Sequence, residues 1–530
     1  MTAGLVDDDH ADVVAFLSDP ATYAGGGQPV QRFDTHGAII FIAGDEAWKI
    51  KRPVRFPYMD LSTLEKRHAV CLRETEINRI WAPELYLGTV AITRQADGAL
   101  ALDGDGKPVE WAVRMRSFSQ GQLLARIAET QGADGIKSEL ARDLADVAFD
   151  AHTKAARHAD VQGAERMAGL IDQVAGELAS LVPHVAKDAV AAFEAAARRH
   201  LADVSRLLDA RAAAGFMRRC HGDMHLGNII LWHGRPMLFD AIEFDEDIAT
   251  VDTLYDLAFL LMDLDHRGLR RAANVVLNRY LWRSADGDDI DGLKALPLFL
   301  ALRAGVRAMV AAERAAQADA ETGRQKQAEA RGYLNAAEGY LNPSKPVLIA
   351  VAGLSGTGKS TLAARLAPEI GATPGAVHLR SDLERKSMFG VGETERLNAE
   401  AYTPDVAAQV YHRLIDKARR AIKAGRSVII DAVSARPHER AQLEVLGAEL
   451  GVPLRGLWLT ADADNLMRRV ADRKNDASDA TTDVVLKQLD YRIGDLSSAW
   501  QVVDAGGDLH RTAKLARDAL GLEETPAVAN

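Results

Sequence analysis

The sequence predicts two domains of different class: an α+β bilobal domain over residues 1–342, then an α/β domain with a parallel sheet over 343–530. Three observations predict this. The chain has 530 residues, more than one hydrophobic core usually organises. A helical run over 311–340, rich in Ala, Glu, Gln and Arg, ends at Asn342-Pro343-Ser344-Lys345-Pro346, where two prolines stop a helix. After that break, VLIAVAGLSGTGKSTLAARLA reads as a continuous apolar strand, a glycine loop and a helix.

Before the break, a β-rich small lobe over about 30–118 precedes a helical lobe over about 119–342. GAIIFIAG, a turn at Gly44-Asp45 and AWKIKRPV form a hairpin pattern. The stretch Ser62 to Ile80 predicts a helix with Ser62 and Glu65 as its capping box. Further strands are expected over LYLGTVAI at 85–92 and EWAVRMRSF at 110–118, with short strand-like pieces near 220–245. In the second domain, strands at AVHLR, SVIIDAV and LRGLWLT alternate with helices, the order of a parallel sheet.

Bulk composition narrows the partners. A hydrophobic fraction of 48% and a charged fraction of 26% are those of a globular protein. The formal charge of -11 argues against nucleic acid bound through a broadly basic surface. No apolar run approaches membrane-spanning length and the N-terminus is acidic where a signal peptide is basic, so no membrane is expected and a cytoplasmic location is. The two cysteines, Cys71 and Cys220, lie far apart without a CxxC pattern, which fits a reducing compartment. The oligomeric state is not legible.

Gly353-Leu354-Ser355-Gly356-Thr357-Gly358-Lys359-Ser360 matches GxxxxGKS in the strand-to-helix context its mechanism requires. Its amides, with Thr361 on the helix that follows, can cradle the phosphates of ATP; Lys359 meets the β/γ oxygens and Ser360 can ligate Mg2+. Asp382, after AVHLR, suits an acceptor hydroxyl or a helix N-cap, and Arg385 suits the substrate. Asp431, ending the strand SVII, suits the metal or a plain strand end. Arg469 and Arg473, four apart on a helix before the polar segment NDASDAT, suit a phosphate clamp or an exposed helical face. Residues 345–520 resemble the P-loop branch that includes gluconate kinase and zeta toxins, which implies transfer to a hydroxyl.

Cys220-His221-Gly222-Asp223-Met224-His225-Leu226-Gly227-Asn228, followed by the strand MLF and Asp240, collects the groups that metal-dependent phosphoryl transfer needs. Asp223 can deprotonate an acceptor hydroxyl, and Asn228 and Asp240 can hold Mg2+. His221 is equally readable as a loop residue; Glu243 and Asp245 as metal or substrate groups or as solvated carboxylates. The constellation resembles the HGDxHxxN loop of aminoglycoside phosphotransferases and related small-molecule kinases. That resemblance implies a protein-kinase-like bilobal fold. It implies that Asp256 in VDTLYDLAFLL braces the catalytic loop, and that Lys49, with Lys51 as runner-up, binds the α and β phosphates. It further implies Glu74, or else Glu76, as the ion-pair partner, Asp34 to Gly37 over the phosphates, and Met115 to Phe118 along the adenine pocket.

With both halves in this order, and with MDLSTLEKR, APELYLG, FDAIEFD and NDASDAT also matching, the chain resembles a bacterial family of bifunctional aminoglycoside phosphotransferase-like and ATP-binding fusion proteins. The resemblance implies two ATP- and Mg2+-dependent kinase centres acting on hydroxyls of small molecules. The alternatives are a nucleotide-gated regulator in which only the P-loop module is catalytic, and a zeta-toxin-like nucleotide-sugar kinase.

Overall fold

The computed structural model describes residues 8–23, 29–35, 37–56, 59–284, 287–473 and 476–522. They fall into two compact units. One comprises Met1–Ile136, Asp150–Val161 and Ala212–Leu260; the other comprises Lys137–Phe149, Gln162–Arg211 and Leu261–Asn530. Among the described residues no helix is long and apolar enough to cross a membrane.

The first unit carries a six-stranded antiparallel sheet of β1 (Gln31–Asp34), β2 (Ala38–Ala43), β3 (Glu46–Lys51), β4 (Tyr86–Arg94), β5 (Leu100–Leu102) and β6 (Lys107–Arg116), in the order β1-β2-β3-β6-β4-β5. The β2–β3 hairpin turns at Gly44, whose φ of +59° suits a residue without Cβ. Strand alternation then divides the side chains of β3. Trp48 and Ile50 join Phe41, Ile92 and Ala112 against Val13 and Leu17 of the helix Asp8–Ser18. Lys49 and Lys51 face the other way, toward the helix Leu64–Trp81. That helix is capped by Thr63, which accepts the Lys66 N–H, and not by the expected Ser62. The Ser62 hydroxyl is taken by Asp60 at 2.6 Å, a local bond that removes it from capping.

Two small antiparallel pairs frame the 220–228 loop: β7 (Met217–Arg219) with β10 (Thr250–Asp252), and β8 (Ile229–Trp232) with β9 (Arg235–Leu238). The latter hairpin turns on His233 and Gly234, both at positive φ, as a tight right-twisted hairpin requires.

In the second unit a parallel sheet runs in the order β12-β13-β11-β14-β15, from β11 (Leu348–Gly353), β12 (Val377–Arg380), β13 (Val428–Asp431), β14 (Leu454–Thr460) and β15 (Trp500–Asp504). Every residue of the central β11 is buried, which explains its unbroken apolar run. Ile349, Val351, Ile429, Leu457 and Val503 pack there against Leu362 and Leu366 of the helix Lys359–Leu366. The helical run predicted over 311–340 is two helices, Leu296–Gln317 and Ala320–Leu341. The break falls at Asp319, whose carboxylate accepts the N–H groups of Glu321 and Thr322 and so starts a new helix.

The free edge of β12 is closed by side chains of the helix Arg270–Arg283. Asn278 donates to the Ala376 carbonyl at 3.2 Å and accepts the His378 N–H at 2.7 Å, while Asn274 donates to the same carbonyl at 3.0 Å. The amide of Asn278 thus imitates one rung of a neighbouring strand. Asn278→Leu should leave the buried His378 N–H unpaired and lower the stability of this unit by about 1–3 kcal/mol in chemical denaturation.

Candidate active sites

In the first unit, one carboxylate organises the small-lobe cations. Glu74 has no exposed surface; its Oε1 lies 2.8 Å from Lys49 Nζ and its Oε2 lies 2.6 Å from Lys51 Nζ. Lys49 also reaches Asp240 Oδ1 at 2.7 Å, and Lys51 reaches Glu243. Burial works against the charged form of Lys49, but Asp240 and Glu74 more than compensate and hold it protonated. Glu74 is itself held below the usual carboxylate range: burial opposes ionisation, and the two lysines outweigh it. Both lysines are therefore engaged by Glu74, whereas Glu76 is exposed and pairs with Arg73. Glu243 is buried on Lys51 and pushed up by that burial. Glu243 is therefore not a solvated carboxylate, and Asp245 caps the helix Glu246–Ala249.

Asp240 follows β9 with φ of +58°, a conformation that costs a non-glycine residue about 1–3 kcal/mol and persists only where neighbours impose it. Those neighbours are visible. Its N–H donates to the Tyr86 hydroxyl at 3.2 Å, and the next N–H, of Ala241, donates to Asn78 at 2.8 Å. Neither Tyr86 nor Asn78 is singled out by sequence reasoning, because each serves through a contact more than 150 residues away.

The 220–228 loop is held by Asp256. Its Oδ1 accepts the Gly222 N–H at 2.9 Å and its Oδ2 accepts the His221 N–H at 3.2 Å, with His152 Nε2 also at 3.2 Å. This is the bracing that the resemblance implies. His221 is wholly buried; its Nε2 donates to the Phe239 carbonyl at 2.9 Å and its Nδ1 accepts the Asp223 N–H, so the ring shapes the loop. Burial lowers its pKa and keeps it neutral. Asn228 Nδ2 donates to Asp223 Oδ2 at 2.7 Å, which brings the acid and the amide to one point. Met115 is paired between Ala47 and Tyr86 in the lobe core. His36, expected over the phosphates, lies outside the described residues. Asp256→Asn should cost one of the two loop bonds and speed hydrogen exchange at His221 and Gly222 by about tenfold, the equivalent of one hydrogen bond.

In the second unit, Gly353, Gly356 and Gly358 all have positive φ. A Cβ at Gly353 would lie 2.6 Å from the Leu459 carbonyl, and one at Gly356 would lie 2.6 Å from that of Leu466, so only glycine fits. The loop curls between β11 and the helix that Lys359 begins, with Ser360 and Thr361 in its first turn. Thr357 and Lys359 both donate to the Leu354 carbonyl, at 2.8 and 3.0 Å. The Ser355 N–H donates to Gln488 Oε1 at 2.7 Å, a tie from the helix Thr482–Leu489 that no motif announces.

Asp431 ends β13 beside β11 and is 3% exposed. Burial raises the pKa of Asp431, but the adjacent His378 ring and the charges of Arg380 and Lys359 outweigh it and keep the carboxylate ionised. His378 Nε2 lies 3.4 Å away and Arg380 Nε 3.7 Å away. Asp382 lies in the first turn of the helix Ser381–Met388 without bonding its N-cap, so the capping alternative is not what the structure shows. Burial, with Asp431 nearby, pushes its pKa up. Arg385 donates to the Ala401 carbonyl at 2.6 Å with its guanidinium over the Tyr402 ring. Asp479 of the predicted lid segment accepts from the Tyr402 hydroxyl and the Leu397 N–H; Asn475 of that segment lies outside the described residues.

The two lid arginines do not form one clamp. Arg469 donates to the carbonyls of Ala505 and Gly507, both at 2.8 Å, and so orders the loop after β15. Arg473 pairs with Asp476, close enough to Lys359 for their charges to interact. The separation arises because the helix Ala463–Ala471 ends between them, so i,i+4 spacing no longer aligns their side chains.

Do these residues fit a metal and a nucleotide? In the second unit, Asp431 Oδ2, Arg380 Nε and Arg473 Nη1 are buried without hydrogen-bond partners, the unsatisfied donors and acceptor that a phosphate and a cation would take up. In the first, the carboxylates of Glu74, Asp240 and Glu243 gather around Lys49 and Lys51, and the Asp223 carboxylate meets the Asn228 amide, a set of oxygen donors suited to a hard divalent ion. Both sites fit.

A family model described as an AAA domain matches residues 348–493. The Mycobacterium tuberculosis (H37Rv) protein Rv2004c is 30% identical over 473 residues, covering 87% of this chain and 90% of its own, and Mb2027c of Mycobacterium bovis matches with the same figures. Both are described as uncharacterized proteins. Among solved structures, a choline/ethanolamine kinase family protein from Mesorhizobium loti covers 63% of this chain and 98% of its own at 15% identity, with a TM-score of 0.37. A gluconokinase from Sinorhizobium meliloti covers 33% and 92% at 19% identity, with a TM-score of 0.24. The APS kinase CysC of Mycobacterium tuberculosis covers 34% and 99% at 19% identity, with a TM-score of 0.26. The chain belongs to the same family as the mycobacterial protein Rv2004c, and in it a six-stranded antiparallel sheet precedes a five-stranded parallel sheet that carries the glycine loop.

Proposed function

We propose that the chain is an ATP-dependent bifunctional phosphotransferase with two Mg2+-dependent centres, each moving the γ-phosphoryl group to a hydroxyl of a small molecule such as a sugar or metabolite. The modules are 1–342 and 343–530, as in the bacterial fusions of aminoglycoside phosphotransferase-like and ATP-binding proteins. One observation carries the reading: each unit holds its own lysine beside its own acidic set, Lys49 with Glu74 and Asp240, and Lys359 near Asp431 and Asp382. Two free, buried cysteines agree with a cytoplasmic location.

In the N-terminal centre, Lys49, fixed by Glu74, binds the α and β phosphates, and Met115 borders the adenine. Asn228 and Asp240 hold the metal. Asp223 takes the proton of the acceptor hydroxyl as its oxygen bonds to the γ-phosphorus and ADP departs. In the C-terminal centre, the amides of the 353–361 loop and Lys359 hold the nucleotide, Ser360 and Asp431 hold the metal, and Asp382 takes the acceptor proton. Arg385 contacts the acceptor, Arg473 faces the transferring phosphate, and Arg469 shapes the loop after β15. When bound, the metal neutralises the charge that develops on the phosphate oxygens.

The test is a phosphate-transfer screen over sugars, polyols, nucleosides and aminoglycosides with the wild type, Asp223→Ala and Lys359→Ala. One set of acceptors should lose about 10²–10⁴-fold in rate with Asp223→Ala and another about 10²–10³-fold with Lys359→Ala. If Asp223→Ala leaves every activity intact, the N-terminal module is a nucleotide-gated regulator; if transfer is confined to nucleotide sugars, the C-terminal module is zeta-toxin-like. Because burial raises Asp382, its carboxylate protonates at a higher pH than usual. The acid limb of kcat/KM for the C-terminal reaction should therefore lie above the ordinary aspartate range, and Asp382→Asn should abolish it; a limb that survives the substitution would show that another group is the base.

A further inference from the structure

At the opposite end of the parallel sheet from the glycine loop, two arginines converge. Arg426, just before β13, is 1% exposed, and its guanidinium donates to the carbonyls of Ala372 and Thr373 at 2.9 and 2.6 Å. Arg270 opens the helix Arg270–Arg283 and donates to the adjacent Gly371 carbonyl at 2.9 Å. The Nε of each is buried with no hydrogen-bond partner. Both line a cavity of about 190 Å3 that also meets Tyr340, Asn342, Ser344 and Thr373. The carboxylate in electrostatic reach of Arg270 is Asp265, and it is already bonded to the Tyr340 hydroxyl at 2.8 Å.

A guanidinium taken out of water without an acid is costly, and carbonyl dipoles satisfy the Nη2 group of Arg426 without neutralising its charge and leave its Nε unpaired. Burial and the like charge of Arg270 push the Arg426 guanidinium down to about 10. An anion relieves that cost. Planar guanidinium forks match phosphate oxygens, and the hydroxyl and amide groups at the cavity mouth suit the remaining ones.

We propose that this cavity is a second anion site, separate from both nucleotide sites, which binds a phosphate group, either inorganic phosphate or the phosphoryl end of a phosphomonoester. It lies beside Asn342 to Ser344, where the chain passes from the helix Ala320–Leu341 into β11, so its occupant touches the link between the two modules.

The test is calorimetric titration of inorganic phosphate into the full chain, its Lys359→Ala form, Arg270→Gln and Asn342→Asp. The last variant keeps both arginines and adds a negative charge at the exposed mouth, so it decides the matter if Arg270→Gln fails to fold. Phosphate affinity should persist in Lys359→Ala and fall at least about tenfold in Asn342→Asp and in folded Arg270→Gln. Glycerol 3-phosphate titrated in parallel identifies the source, the tighter of the two being the nearer to the natural occupant. No binding by the wild type, or binding that Lys359→Ala abolishes while Asn342→Asp leaves it unchanged, would overturn the proposal.

Discussion

A charge removed from water must meet an opposite charge or a ligand, and both units of this protein are arranged around that constraint. In the first, Glu74 is the fixed point. Its two oxygens hold two lysines from one strand, and through Lys49 the small-lobe sheet is tied to Asp240 at the end of β9. Removing Glu74 would leave each of the two lysines with one carboxylate, Asp240 for Lys49 and Glu243 for Lys51, and would break the link between them. Buried ion pairs of this kind fix geometry more than they add stability, and under the proposed function that geometry is the position of a phosphate tail.

The second unit meets the same constraint with backbone in place of side chains. Three glycines at positive φ let the backbone curl tightly, and the helix beginning at Lys359 adds its positive end. The side-chain charges around the loop remain partly unsatisfied, Asp431 and Arg473 among them, which is the state expected of groups whose partners arrive with the substrate. Gln488 and Arg469 show the loops around the cradle being held from outside it, by side chains that bond to main-chain groups.

Most of the fold was legible because its signals are local. The hairpin around Gly44, the helix after Thr63 and the alternation of strand and helix after Pro346 all follow from turn residues and periodicity. That Lys49 meets Asp240 and that Asn228 meets Asp223 agrees with the sequence expectation, which rested on the side chains that phosphate and metal chemistry admits at short spacings. The errors were also local in origin. Ser62 lost the capping role to Thr63 by bonding Asp60, Asp319 divided a helical run, and Asp245 proved to be a cap.

By itself the sequence determined the glycine loop between strand and helix, the class of each sheet and the order in which the two sheets follow, because those depend on glycine freedom, strand patterning and neighbouring residues. Only the tertiary structure decided that Glu74 serves both lysines, that His152 supports Asp256, that Arg469 and Arg473 part company, and that Asn278 seals β12. Each of these depends on groups distant along the chain or on the residue at which a helix ends. Such contacts are selected by burial and hydrogen-bond geometry in three dimensions, and no local pattern encodes them.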